Sequence, residues 1–305
     1  MTDTPLEPVA KDTSARSQWW DVWDQFKTHK GALFGAAVFL FIVLAVTLGP
    51  LVWTIEPTFI DIRARNSGPS LAHPFGTDQL GRDIMARMMA GGQVSIAVGL
   101  TAMAISVLLG TLIGVVSGFF RRLDGVLMGL TDLFLALPLL PLLLVMVMLF
   151  RETLSRSFGP EMGTFILIVS AIGITSWMQT ARIVRGEVLA LKEREFVLAA
   201  RSIGTPSRRM ILRHILPNVL SPIMVSATLG IATAIITESA LSFLGLGFPP
   251  DLPTWGRLLF DAIDYLQQYP ERVFWPGLAI SLTVLSVNYI GDGLRDALDP
   301  RIRGR

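Results

Sequence analysis

Six apolar runs alternate with polar stretches along the chain, at 33–53, 94–120, 126–150, 163–184, 219–248 and 273–290. A helix needs about 20 apolar residues to cross a hydrocarbon core of about 30 Å. The pattern therefore predicts six membrane-spanning helices. The second and third runs are long enough to span with tilt or a kink, and the third contains Pro138 and Pro141. Ser170, Thr175, Ser176, Gln179 and Arg182 interrupt the fourth. The fifth exceeds one crossing, which predicts a break near 237–239, with the remainder re-entrant or along the outer surface.

The longest polar interruption in the second half, 187–218, is itself patterned. Phe196, Ala199, Ala200 and Ile203 recur at i, i+3, i+4 and i+7, one face of a helix. Gly204 is placed to end that helix, since glycine accepts the left-handed conformation of a C-terminal stop. Thr205 reads as an N-cap and Pro206 as the first residue of a second helix. Met210, Ile211 and Ile215 then continue an apolar face until Leu216-Pro217-Asn218 stops it. Two short amphipathic helices joined by a tight turn result. On these residues alone the pair suits either a groove in a partner or a lipid surface, with arginines on phosphates.

Smaller patterns complete the reading. Trp19, Trp20, Trp23 and Phe26 recur at helical spacing ahead of Lys27, His29 and Lys30, which predicts an amphipathic helix in the headgroup region. The polar residues 1–16 and the length of the first apolar run exclude a secretory signal. In the outer loop, Asp78 and Asp83 fit turn and cap positions. Ile84, Met85, Met88 and Met89 predict an interfacial helix leading into the second span. Gly110, Gly114 and Gly118, four apart, predict a close helix-packing face.

Composition supports a membrane protein: 51% of the 305 residues are hydrophobic and 16% charged, against about 25% charged in ordinary globular chains. The mean hydropathy is +0.56. The absence of cysteine excludes disulfides, thiolate metal sites and cysteine nucleophiles. None of the three histidines stands at metal-ligand spacing from another, and a net charge of +2 makes no case for nucleic acid. With six spans and the N-terminus inside, 18 of the 26 lysines and arginines fall on the inner side. That bias predicts both termini, and the 187–218 loop, in the cytoplasm. No nucleotide-binding loop, HExxH or GxSxG occurs, so no catalytic residue, metal site or cofactor is assigned to this chain. Ionisable groups at membrane depth are costly and point to function. Glu238 and Asp132 are therefore candidates for a translocation pathway. A hydrogen-bonded packing role also fits Glu238, and helix-end positions near the interface fit Asp132 and Asp292.

Several stretches together resemble one family. Leu198-Ala199-Ala200, Gly204 and Leu216-Pro217 resemble the coupling loop of type I ABC importer permeases, which carries Glu-Ala-Ala, a glycine and then Leu-Pro. FGTDQLGRD (75–83), ARIVRGEVLALKEREFVLAAR (181–201), RHILPN (213–218), ESALSFLGLG (238–247) and NYIGDGLRDALDPR (288–301) resemble the dipeptide and oligopeptide subfamily, in its "C" type. The resemblance implies an all-α polytopic fold, with a peripheral first span (31–53) and a five-helix core (94–292). Between them lies an extracytoplasmic loop (54–93), and cytoplasmic tails occupy 1–30 and 293–305. It implies a heterodimer with a related permease in the bacterial cytoplasmic (inner) membrane. Two cytoplasmic ATPase subunits holding ATP and magnesium, and an extracytoplasmic binding protein, would complete the complex. The cargo would be dipeptides or oligopeptides, with nickel or glutathione-like peptides as alternatives. The ATPase-docking set it implies is Glu195, Phe196, Ala199, Ala200, Arg201, Ile203 and Gly204. One departure is Leu198, which stands where the family carries glutamate; Glu195, three residues earlier, lies on nearly the same face. The rival on residues alone is an ion-gradient-driven transporter, which would want mid-membrane charges and an internal repeat.

Overall fold

In hydrocarbon every backbone polar group must be satisfied within the chain, so apolar runs of this length become helices. The computed structural model describes residues 18–298. The tail segments 1–17 and 299–305, and the side chains of Gln18, Trp19 and Asp21, lie outside the described residues. The helices are α1 (Gln18–Thr28), α2 (Lys30–Val52), α3 (Ile84–Phe119), α4 (Arg121–Ala136), α5 (Leu139–Phe158), α6 (Pro160–Lys192), α7 (Glu195–Ser202), α8 (Ser207–Met210), α9 (Leu216–Phe243), α10 (Trp255–Ile263) and α11 (Glu271–Leu298). A π turn, Ile211–Ile215, joins α8 to α9. The fold is all-α, as expected. Among the described residues, five segments are long and apolar enough to cross a membrane: α2, α3, α6, Ser207–Phe243 and α11.

The third apolar run is not one helix. It breaks at Leu137-Pro138, and α4 and α5 meet at 88°. Leu137 is extended (φ −77°, ψ 136°), as the residue before a proline prefers. This elbow still makes a crossing. A methyl group at Gly110 would lie 2.7 Å from the Trp177 carbonyl oxygen and from Thr180 Cβ. At Gly114 the neighbours are Ala181 and Val184, and at Gly118 they are Val188 and Arg185. The numbers rise together, so α3 and α6 run parallel, and the chain between them must return across the bundle. The glycine stripe is thus the packing face that its spacing predicts. α2 and α11 are antiparallel: Gly35 packs on Ser286 and Tyr289, and Gly293 on Ala32. The start of α2 and the end of α11 therefore share one end of the bundle.

Four expected boundaries are corrected. The helix after Gly204 begins at Ser207 with Pro206 as N-cap, so Thr205 is not the cap. Pro217 does not stop that helix. The Leu216 N–H bonds back five residues to Ile211, and this wider turn carries the helix into α9, with Pro217 in its first turn. No break occurs at 237–239. α9 continues to Phe243, and the chain turns at Gly245 with φ +77°. The residues expected as an interfacial helix, Ile84 to Met89, are the first turns of α3 itself.

α1 packs on the end of α11. Val22 and Phe26 are buried against Ala32 and Ala297, while Trp20 and Trp23 stay exposed. At the opposite end the loop between α2 and α3 forms a clamp. Asp78 accepts from the Leu80 and Arg82 amides at 2.8 and 2.9 Å, and from Arg82 Nε and Arg87 Nη1 at 2.7 Å each. Arg87 also reaches Asp261 on α10 at 3.4 Å, and Arg272 on α11 donates to the Thr77 carbonyl at 2.7 Å. Asp83 caps α3 by accepting from the Ala86 amide at 2.6 Å, and it meets His73 Nδ1 at 2.8 Å. Both acids are turn and cap residues, and Asp78 is also the hub joining α3 to the loop.

Burial alone would raise the Asp78 carboxyl, but Arg87, Arg82 and the Arg82 amide hold it below the usual aspartate value. A depressed folded pKa contributes stability that is present above the unfolded value of about 3.9 and lost as pH falls through the folded one. Thermal unfolding in detergent should therefore shift to lower temperature as pH drops below about 4. Asp78→Asn should lower stability at neutral pH by about 3–5 kcal/mol, since it leaves buried guanidinium unpaired, and should flatten that acid limb. An unchanged acid limb would show that Asp78 does not carry it.

Candidate functional site

The α7 end of the bundle presents a short helix on a rigid footing. Lys192 Nζ donates to the Gly118 and Phe119 carbonyls at 3.2 and 3.1 Å, tying the end of α6 to the end of α3. Glu195 opens α7 in its first turn, where a carboxylate complements the helix dipole. At the other end, the Gly204 N–H bonds to the Arg201 carbonyl at 3.0 Å and the Thr205 N–H to Ala200 at 3.1 Å. With Gly204 at φ +79° this is a Schellman closure, and the stop falls where the sequence places it.

The helix has two apolar sides. Val197 and Ala200 turn inward and pack with Val184, Val188, Met210 and Ile215. Phe196 and Ile203, seven apart, lie on one side and are 45% and 84% exposed; Leu198, 43% exposed, lies on a different side of the helix. Glu195, Ala199, Arg201 and Gly204 are exposed as well. Ala200, expected in the docking set, is 7% exposed and sits in this inner cluster, so it is part of the footing. Val197, which the expected stripe omits, is its neighbour on that inner face. The i, i+3 pair Val197–Ala200 was the available signal.

A cavity of about 370 Å³ lies between the α4–α5 elbow, α6 and α9. One wall is apolar, with Phe134, Leu135 and Leu137 from the elbow; the other carries Thr175, Gln179 and Thr180 of α6 and Thr233 of α9. Thr180 and Ser226 hydrogen-bond across α6 and α9 at 3.0 Å. Of the polar residues that interrupt the fourth apolar run, Thr175, Ser176 and Gln179 therefore belong to this wall. Glu238 is not among the lining residues, and its contacts are those of the hydrogen-bonded packing role. It is fully buried, accepting from Ser242 Oγ at 2.7 Å and Ser95 Oγ at 3.3 Å, and Ser95 Oγ takes the Trp255 amide at 3.2 Å. Its carboxyl knits α3, α9 and the start of α10 because α9 runs on without the expected break. Asp132 instead pairs with Arg182 between α4 and α6 at 2.5 Å. Asp292 is exposed on α11.

Six crossings, a half-polar cavity among them and a braced helix projecting from one end define a multi-span helical transport subunit of a membrane. Residues 106–304 match the family described as binding-protein-dependent transport system inner membrane component. Residues 17–69 match the N-terminal TM domain of oligopeptide transport permease C. The chain belongs to this family of ABC transporter permeases, whose members are non-catalytic membrane subunits. It is 39% identical to the oligopeptide transport system permease protein OppC of Bacillus subtilis, over 94% of this chain and 91% of the relative. It is 36% identical to the dipeptide transport system permease protein DppC of Alkalihalophilus pseudofirmus, over 99% and 97%. A putative peptide transport system permease protein of Brucella abortus is 38% identical over 90% of this chain and 89% of its own length.

Proposed function

We propose that this chain moves dipeptides or oligopeptides across the cytoplasmic membrane as one membrane subunit of an ATP-driven importer. A related permease pairs with it, two cytoplasmic ATPase subunits bind ATP and magnesium, and an extracytoplasmic binding protein delivers the cargo. Both termini and α7 lie in the cytoplasm, in keeping with the bias of lysine and arginine. The observation that carries this reading is the exposed side of Phe196 and Ile203 on a helix whose Val197–Ala200 side is buried in its own chain. A braced apolar ridge transmits rigid-body motion, because packed elements rotate as bodies and do not deform continuously. The docking set is then Glu195, Phe196, Ala199, Arg201, Ile203 and Gly204, with Leu198 adding apolar area where the family carries a carboxylate. Peptide cargo follows the names of the relatives, and the uncharged cavity lining accepts varied side chains.

The test is uptake of a labelled tripeptide into proteoliposomes holding the whole transporter, with and without this chain. ATP-dependent uptake that vanishes when the chain is left out is the expected result. Uptake by the chain alone, driven by an ion gradient without ATP, overturns the proposal.

A further inference from the structure

Two ion pairs tie α4 to α6, and they differ in kind. Asp124 takes Arg185 through two contacts, Oδ1 to Nε at 2.5 Å and Oδ2 to Nη2 at 2.7 Å. Each of these side chains is at most a third exposed. Two turns further along α4, Asp132 meets Arg182 through Oδ1 and Nη2 at 2.5 Å. These side chains are 63% and 52% exposed. The bidentate, sheltered pair positions α4. An exposed pair contributes little to stability and opens at little cost.

The second pair also has a telling address. Asp132 precedes Leu135 by three residues on α4, and Arg182 follows Gln179 by three and adjoins Ile183 on α6. Leu135, Gln179 and Ile183 all line the cavity. Residues three apart on a helix share a face, so the pair stands at the cavity rim. α6 continues from there to the footing of α7, so this is the rim nearer the α7 end. The lining itself carries no charged side chain. A molecule with one positive and one negative end would cross an uncharged chamber and then meet both complementary charges together.

We propose that Asp132 and Arg182 are an exchange pair for zwitterionic cargo. They part as a peptide leaves the cavity, Arg182 taking its carboxylate and Asp132 its ammonium, and they rejoin behind it. This rests on the peptide-transport reading above. The chemistry matches: a guanidinium fork fits a carboxylate, and a carboxylate accepts from an ammonium. Each partner exchanges one opposite charge for another, so neither is left unpaired during passage, and an unpaired charge is the costly state. The closed pair is neutral, which keeps the rim from holding a charged end once the cargo has gone.

The experiment compares the maximal ATP-driven uptake of trialanine, its C-terminal amide and its N-acetyl form by the whole transporter in proteoliposomes. Each variant is divided by wild type for the same peptide, so that selection by the binding protein cancels. Arg182→Gln should slow the free-acid peptides about tenfold, the size of losing a charge-assisted hydrogen bond, and leave the amide within about twofold. Asp132→Asn should slow the free-amine peptides and spare the acetylated one. Arg182→Lys keeps the charge and the contact to Asp132 but loses the fork; its loss should be smaller, about threefold, and confined to peptides with a free carboxylate. Equal losses for free and blocked peptides in these variants would make the pair a strap between helices and overturn the exchange role. Wild-type transporter that moves none of the three peptides would overturn the peptide reading itself, and the exchange with it.

Discussion

Gly114→Leu is expected to remove folded protein from the membrane. A first side-chain carbon at this position would lie 2.6 Å from the Ala181 carbonyl oxygen and 2.7 Å from Val184 Cβ. Neither neighbour is the free end of a flexible side chain, so relief requires α3 and α6 to move apart. These two helices form the central seam of the bundle, held close again at Gly110, Gly118 and Gly173. Overpacking a tight site costs about 1–3 kcal/mol or more, and leucine adds four carbons where none fits. Against a total stability of about 5–15 kcal/mol, that should be decisive. The yield of monodisperse protein by size-exclusion chromatography in detergent should fall at least about fivefold on these magnitudes. Gly129→Leu on α4, where an added carbon meets nothing within 4 Å, should leave the yield unchanged. A normal yield from Gly114→Leu would mean that the parallel register of α3 and α6 is wrong.

The double variant Phe196→Asp with Ile203→Asp should instead leave a folded chain that no longer transports. Ile203 is 84% exposed and Phe196 45% exposed, and neither belongs to the buried cluster under the helix, so their replacement should change the unfolding temperature far less than a change on the buried side. On a partner they would put two carboxylates into an apolar groove, which costs several kcal/mol. Uptake should fall by about a hundredfold or more, and hydrolysis of ATP by the partners should no longer respond to cargo. Val197→Asp, one residue away on the buried side, should behave in the opposite manner. It places a charge among Val188, Met210 and Ile215, so the chain itself should be lost. The two substitutions separate a docking face from a footing on one eight-residue helix. Wild-type uptake by the double variant would remove α7 from the coupling path.

The apolar runs, the glycine stripe and the Gly204 stop were legible in the residues because each depends on local rules. A 20-residue apolar stretch has few stable alternatives in hydrocarbon, small residues four apart line one side of a helix, and a left-handed closure favours glycine. The count of six crossings was equally accessible, and so was the polar wall of the cavity, as an interruption of the fourth run. Other features were not. Pro138 allows a bend anywhere from a slight kink to a corner, and 88° came from how α4 and α5 pack on α3 and α6. Pro217 reads as a stop, yet a π turn carries the helix past it.

Glu238 shows the same limit for chemistry. A carboxyl in an apolar run signals purpose, but whether it faces a pathway or a ring of serines depends on Ser95, 143 positions away in sequence. The face of α7 is the sharpest case. Its eight residues hold apolar side chains on two sides, and periodicity assigns both to a helix without ranking them. Val197 and Ala200 are inside because Val188 and Met210 wait there, which leaves Phe196 and Ile203 to the outside. Local rules settle which residues form a helix. Which side of it is left over for a partner depends on contacts between segments distant in the chain, and those exist only once the bundle has packed.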